Sequence, residues 1–130
     1  MDQLMAPVSP GELLDKITIL EIKSERISDP QKNANVRTEL NLLNAIWAEG
    51  VPAEIDLSAQ RAALKAVNEK LWVIEDDIRE EERAKRFEQR FIDLARSVYV
   101  TNDERARIKK EINLALGSVI VEEKSYSDYA

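Results

Sequence analysis

Apolar residues near the start of the chain recur at helical spacing on two sides of one segment. Ser9 and Pro10 suit the N-cap and the first position of a helix, and Glu12 follows three residues after the cap. The main apolar stripe consists of Leu13, Ile17, Leu20 and Ile27, and Ile19 and Ile22 lie on the other side of the same helix. A helix that is apolar on both sides is buried all round or meets a partner. The pattern therefore predicts a first helix over residues 10–28, with one face for the core and one for a neighbouring molecule.

A second helix is predicted over residues 33–49. The pair Asp29–Pro30 ends the first helix, because the residue before a proline avoids the helical region. The apolar stripe of the second helix is Val36, Leu40, Leu43 and Trp47. Gly50 follows directly and is predicted to be its C-cap.

A long apolar pattern with two seams follows from Ser58 to Tyr99. The first seam is Leu57, Leu64, Val67, Leu71, Ile74 and Ile78, and the second is Ala84, Phe87, Phe91, Leu94 and Val98. Steps of three and four are typical of a coiled coil. The two seams differ in phase by one residue, which is about 100° around a helix. The sequence therefore predicts one long central helix whose buried face rotates, or two helices with a kink near Glu82.

The last helix is predicted to begin at the capping-box pattern Thr101-Asn102-Asp103-Glu104. Its inner stripe is Ile108, Ile112, Ala115, Leu116 and Val119. Residues 118–122 allow two interpretations, because Gly117 could end the helix and Val119-Ile120-Val121 is β-branched like a strand. Continued helix to about Lys124 is favoured, since no other segment is predicted to pair with such a strand.

Composition agrees with a fold made only of helices. Apolar residues make up 44% of the chain and charged residues 34%, and no Gly or Pro falls between Pro52 and Gly117. We therefore expect one all-α domain over residues 1–130, with more than roughly two thirds of the residues in helices. Its expected architecture is a helical bundle or hairpin in which capped first and last helices pack on the long central one.

The charge of the chain argues against two classes of partner. A net charge of −6 does not suit broad binding to nucleic acid or to an anionic membrane surface. No apolar stretch approaches the roughly 20 residues of a membrane span, and no segment has the basic start and apolar run of a signal peptide. The expectation is a soluble cytoplasmic protein that binds neither nucleic acid nor membrane.

The residue types exclude several common chemistries. His and Cys are both absent, so the usual ligands of zinc, copper and haem and the usual base for a serine nucleophile are missing. Three scattered glycines cannot form a phosphate-binding loop. The sequence therefore predicts no catalytic residue, no metal site and no cofactor.

Two functions of different classes remain. The first is a non-catalytic assembly or partner-binding protein that acts as a homodimer or binds another protein. Its candidate interface residues are Ile19, Ile22, Phe87 and Phe91, because the first helix is apolar on two sides and the long seams are out of phase. The alternative is a small-molecule enzyme or sensor with a cationic pocket inside the bundle for an anionic metabolite, such as a sugar phosphate, a nucleotide or a dicarboxylate.

The candidate residues of that pocket lie on the first and last helices. Each helix carries a polar edge beside its apolar stripe, so packing the two stripes together would align the edges. The residues are Lys16, Lys23, Arg26, Lys110 and Asn113. Local pairing of these cations with Glu12, Glu21 or Glu111 is the simpler interpretation.

Both ends of the chain carry distinctive motifs. The opening run SPGELLDKITILEIKSERI and the tail KKEINLALGSVIVEEKSY resemble an uncharacterised family of small helical bacterial proteins. The resemblance covers most of the chain and is less specific over residues 50–100. It implies a helical fold and brings no established catalytic residue to this sequence.

Overall fold

Four α-helices make up most of the chain in the computed structural model, which describes residues 1–129. The model is 71% helical, and no β-strand occurs among the described residues. The all-α prediction is therefore confirmed. None of the four helices is long and apolar enough to cross a membrane. The helices are α1 (Pro10–Arg26), α2 (Pro30–Gly50), α3 (Ser58–Arg83) and α4 (Gln89–Ala115).

The first two helices begin at the same kind of cap. The Ser9 side chain accepts a hydrogen bond from the backbone N–H of Glu12 at 3.2 Å, and Pro10 occupies the first helical position, as predicted. The Asp29 carboxylate accepts from the backbone N–H of Lys32 at 2.9 Å. The second helix therefore starts three residues earlier than predicted, because Asp29–Pro30 ends α1 and also caps α2.

The single long central helix is not what the chain forms. The chain reverses direction between Arg83 and Gln89, close to the expected kink, and α3 and α4 form an antiparallel hairpin. Lys85 adopts a left-handed φ of 57°, which lets the chain turn out of the helix. The reversal also separates the two seams, since the first lies on α3 and the second continues from the turn, which holds Ala84 and Phe87, onto α4.

The predicted helix start at Thr101 is wrong. Helix α4 runs without interruption through this position, and Thr101 is 1% exposed. Steps of three and four continue through Val98, Thr101, Arg105, Ile108 and Ile112. Thr101 is thus a polar member of the buried stripe, and tertiary packing overrides the local capping pattern.

Helix α4 ends at a Schellman motif. Gly117 has φ 62°, its N–H donates to the Leu114 carbonyl at 3.2 Å, and the N–H of Ser118 donates to the Asn113 carbonyl at 2.9 Å. Residues 118–122 form neither helix nor strand, so the expected extension of the helix to Lys124 is wrong. Val119, predicted on the inner stripe, is 98% exposed.

The core lies where α1 packs against the α3–α4 hairpin. Its main cluster of buried residues is Leu14, Leu57, Leu64, Val67, Leu71, Ile108 and Ile112. Among the four helices, α2 packs only on α1 and has no fully buried residue. Two of its apolar residues, Leu42 and Ile46, are about half exposed.

Leu20 and Leu71 test the assignment of the apolar stripes. Both are buried, as predicted, with exposed fractions of 2% and 9%. Changing either to Ala is expected to lower the free energy of unfolding by about 2 kcal/mol, the low end of the usual range. The low end applies because Leu71 keeps some exposure and Leu20 lies outside the main cluster. Urea denaturation measures this loss, and a value below about 0.5 kcal/mol would show that the stripe is misassigned there.

The far half of the α3–α4 hairpin, residues 73–100, is called the distal arm. The hydrogen bonds that α1 makes with the hairpin reach residues 61–68 of α3 and 109–113 of α4. Between residues 75 and 100, Glu81 alone is buried. The ten residues of α3 after Val73 extend about 15 Å at 1.5 Å per residue. The arm therefore projects beyond the helix that covers the core.

Candidate functional site

The N-terminus of α1 meets α4 at a close contact of two backbones. The N–H of Gly11 donates a hydrogen bond of 2.7 Å to Asn113 Oδ1. Asn113 is 1% exposed, so this bond lies inside the protein. A Cβ atom on Gly11 would overlap with the carbonyl oxygen of Lys109. Position 11 must therefore be glycine for α1 to approach α4 this closely.

A buried polar group joins α1 to α3 beside this contact. Asn68 Nδ2 donates to Asp15 Oδ1 at 2.9 Å and to Thr18 Oγ1 at 3.0 Å. The exposed fractions of Asp15, Thr18 and Asn68 are 4%, 0% and 5%. Arg105 Nε lies 4.0 Å from Asp15 Oδ1. The Asp15 carboxylate therefore has polar partners on both helices of the hairpin.

Lys109 of α4 is the centre of an ion-pair group. Its Nζ lies 2.5 Å from Glu12, 3.9 Å from Asp15 and 3.2 Å from Glu122. Burial by itself lowers the pKa of Lys109, but the hydrogen bond to Glu12 and the nearby carboxylates more than offset this, so the pKa is raised. The hydrogen bond from Lys109 in turn lowers the pKa of Glu12. Lys109 is therefore charged at neutral pH and links α1, α4 and the residues after α4.

Residues 118–129, called the C-terminal segment, fold back along α4 and leave a cleft behind them. The segment is attached by Lys109–Glu122 at 3.2 Å, Lys110–Glu123 at 3.5 Å and Lys124–Asp103 at 2.6 Å. Hydrogen bonds from Lys124 and Tyr129 lower the pKa of Asp103. The cleft has a volume of about 790 Å³. Its aromatic lining consists of Tyr99, Tyr126 and Tyr129.

The contacts of the C-terminal segment with α4 are mostly polar and exposed. All residues from Glu122 to Tyr129 are exposed, and Tyr126 keeps 85% of its surface in water. Ordering a backbone costs about 1 kcal/mol per residue, whereas exposed ion pairs contribute little. The ion pairs alone therefore do not offset the conformational entropy lost when the segment is ordered. Apolar contact inside the cleft would add to their stabilising effect.

The structure separates the five predicted pocket residues. Lys110 and Asn113 both line the cleft behind the C-terminal segment. Lys16 instead pairs with Glu39 of α2 at 2.9 Å, and Arg26 lies over the ring of Trp72 at 6.0 Å. Lys23 is half-buried on α1 and is not part of the cleft lining. The polar edges of the first and last helices are thus not brought together, because α1 turns its Lys16 edge towards α2.

The structure places the four predicted interface residues in different environments. Ile22 is 2% exposed, because the chain itself covers it, so this residue has no surface left for a partner. Ile19 is half-buried. Phe87 and Phe91 lie at the tip of the distal arm with ring centroids 5.2 Å apart in an edge-to-face arrangement, and Phe87 is 51% exposed.

Sequence reasoning missed Gly11, Asp15, Asn68 and Lys109 as members of the site. Two of them carried a readable signal, since Asn68 interrupts the apolar seam beside Val67 and Lys109 follows directly after the buried Ile108. The partners lie up to 102 residues apart in sequence, so no local pattern joins them. Among residues 1–129, no group of three or more acidic side chains is placed to hold a metal ion.

Comparison with known proteins gives one match. A model described as a family of unknown function, DUF6165, matches residues 4–129. No curated protein and no solved structure matches the chain.

Proposed function

The chain thus belongs to this family of unknown function, and we propose that it is a non-catalytic assembly or partner-binding protein that acts as a homodimer through its distal arm. The observation that carries the proposal is the incompletely covered apolar seam of the arm. Two helices alone cover such a seam from one side, whereas four helices around a shared core cover it fully.

The apolar residues of the arm retain contact with water. On the inner seam Ile74 is buried, and the residues nearer the tip are only half-buried, namely Ile78, Phe91, Leu94 and Val98. Others are between 46% and 51% exposed, namely Val73, Phe87, Ile92 and Val100. Exposed apolar residues gathered on one part of a protein typically mark an interaction site.

A second copy of the chain is the partner that suits the arm best. A two-fold axis would bring two identical arms together, and each would supply the missing side of the other's seam. Residues 75–90 interleave acidic and basic side chains, so antiparallel copies can place opposite charges side by side. Another protein with a helical hairpin remains the second choice of partner.

The tip of the arm is held rigid by a buried carboxylate. Glu81 is 5% exposed and accepts hydrogen bonds from Arg86 at 2.7 Å and from Arg90 at 2.8 Å. The hydrogen bond from Arg86 is the main reason that the pKa of Glu81 is lowered. A tip fixed in this way reduces the ordering cost of an association.

The cytoplasm is the proposed location of the protein in the cell. Fractionation of cells that express the full-length chain tests the setting independently of the dimer.

Analytical ultracentrifugation of the full-length chain tests the dimer. The expected mass is twice the chain mass of 14.8 kDa at micromolar concentration. The double change Phe87→Glu and Ile92→Glu is expected to raise the dimer dissociation constant at least thirtyfold, or about 2 kcal/mol, because it places four charges in the shared interface. Both residues are about half exposed in the single chain, so its fold is retained.

The double change Leu42→Glu and Ile46→Glu on α2 is the matched control. These residues are as exposed as the pair on the arm, and they lie outside it. The control is expected to leave the dimer intact. A 14.8 kDa monomer at high micromolar concentration would contradict the proposal. Dissociation by the α2 change alone would also contradict it, because it would show that the interface lies on α2 and not on the arm.

A further inference from the structure

We propose that the cleft between α4 and the C-terminal segment binds a small organic anion that contains a ring, with the segment closing over it. The cleft lies at the other end of α4 from the tip of the arm, and Tyr99 is the one arm residue in its lining. A volume of about 790 Å³ is within the usual range for small-molecule sites.

The two walls of the cleft carry opposite charge. The α4 wall holds Arg107, Lys109 and Lys110 against the single acidic residue Asp103. The wall formed by the C-terminal segment holds Glu122, Glu123 and Asp128 against Lys124. A protein of net charge −6 thus presents a cationic strip on one helix and covers it with its own acidic residues. An anionic ligand would take the place of these carboxylates against α4.

Lys110 is the cation best placed to receive the ligand. It lies 3.5 Å from Glu123, and the two side chains are 48% and 74% exposed. Such a pair exchanges readily, since exposed ion pairs are weak. Lys109, in contrast, is fixed by Glu12 of α1 at 2.5 Å. The anionic group of the ligand therefore belongs at Lys110, with Glu123 displaced.

Three tyrosines indicate that the ligand contains a ring. Tyr99 of α4 and Tyr129 have ring centroids 5.1 Å apart, and Tyr126 lines the same cleft with 85% of its surface exposed. Aromatic faces stack on planar or sugar rings, and covering them removes apolar surface from water. A ring packed against Tyr126 and the Tyr99–Tyr129 pair would supply the apolar contact that the ion pairs of the segment lack.

Binding to the full-length chain is tested by isothermal titration calorimetry with five probes. The ring-bearing anions are uridine 5′-monophosphate, glucose 1-phosphate and 4-hydroxybenzoate, and the ringless anions are inorganic phosphate and succinate. At least one ring-bearing anion is expected to bind with Kd below about 1 mM, and both ringless anions at least tenfold more weakly. The three ring-bearing probes distinguish a nucleotide, a sugar phosphate and an aromatic carboxylate as the ligand class.

Three variants locate the binding. Lys110→Ala is expected to weaken the best ring-bearing probe at least tenfold, and Glu123→Gln to strengthen it, because a competing carboxylate is removed. Lys70→Ala, an exposed change on α3, is the control and should leave the affinity unchanged. The proposal is overturned if no ring-bearing anion binds, if phosphate binds as tightly as they do, or if Lys110→Ala has no more effect than Lys70→Ala.

Discussion

Replacing Gly11 by Ala is expected to lower the free energy of unfolding by about 4 kcal/mol, the combined cost of overpacking and of a broken buried hydrogen bond. The added Cβ would overlap with the backbone oxygen of Lys109 and would lie 2.9 Å from Asn113 Oδ1. A backbone oxygen cannot move aside as the end of a flexible side chain can. Helix α1 would have to shift away from α4, and the bond from the Gly11 N–H would be lost.

Gly50→Ala is the matched control for this change. A Cβ built on Gly50 meets no atom within 4 Å outside its own helical turn, so the change should not lower stability and should raise it by at most about 1 kcal/mol. Thermal unfolding followed by circular dichroism measures both variants. A loss of 4 kcal/mol corresponds to a fall in Tm of roughly 15 °C for a domain of this size. A Tm for Gly11→Ala close to that of the wild type would show that α1 and α4 are not in close contact.

Lys109→Ala is expected to cost about 3 kcal/mol, because it removes one of the two cations beside the buried Asp15 carboxylate and the hydrogen-bonded partner of Glu12. Asp15 is 4% exposed and Glu12 loses its hydrogen bond of 2.5 Å. The value lies at the low end for a broken buried pair, since the Glu12 side chain is 43% exposed and water can hydrate it. Urea denaturation at pH 7 measures the loss.

The adjacent Lys110→Ala is the control, and pH gives a second readout. Lys110 is exposed, so its removal should cost less than about 0.5 kcal/mol. In the wild type, the lowered pKa of Glu12 adds stability above the ordinary glutamate pKa of 4.5, and this is lost as the pH falls through the lowered value. The difference between wild type and Lys109→Ala should therefore shrink from pH 7 to pH 4. A difference that does not change with pH would mean that packing, not charge, is lost.

The hairpin shows how far periodicity leads without tertiary information. Both seams and the break near Glu82 could be read from the sequence, but the reversal of the chain could not. The turn uses Lys85 at a positive φ, where a glycine would have been an evident signal. The pattern at Thr101 is also ambiguous in sequence, since a capping motif has the same residues whether it begins a helix or lies buried within one.

The cleft was predictable only in part. Lys110 and Asn113 were found because both lie near the apolar stripe of the last helix, and both line the cleft. The structure places their expected partners on α1 outside the cleft, because the direction in which a helix turns its polar edge depends on its neighbours. Lys16 turns to Glu39 of α2, a choice that no spacing within α1 could reveal.

The sequence by itself determined what depends on a few neighbouring residues. The all-α class, the cap at Ser9 and the stripes that hold Leu20 and Leu71 follow from hydrogen bonds and spacings within one or two helical turns. Tertiary structure alone decided that Gly11 meets Asn113, 102 residues away, and that α1 covers only part of the hairpin. How the helices pack depends on the total apolar area that all of them bury together, and this area cannot be calculated from any single segment.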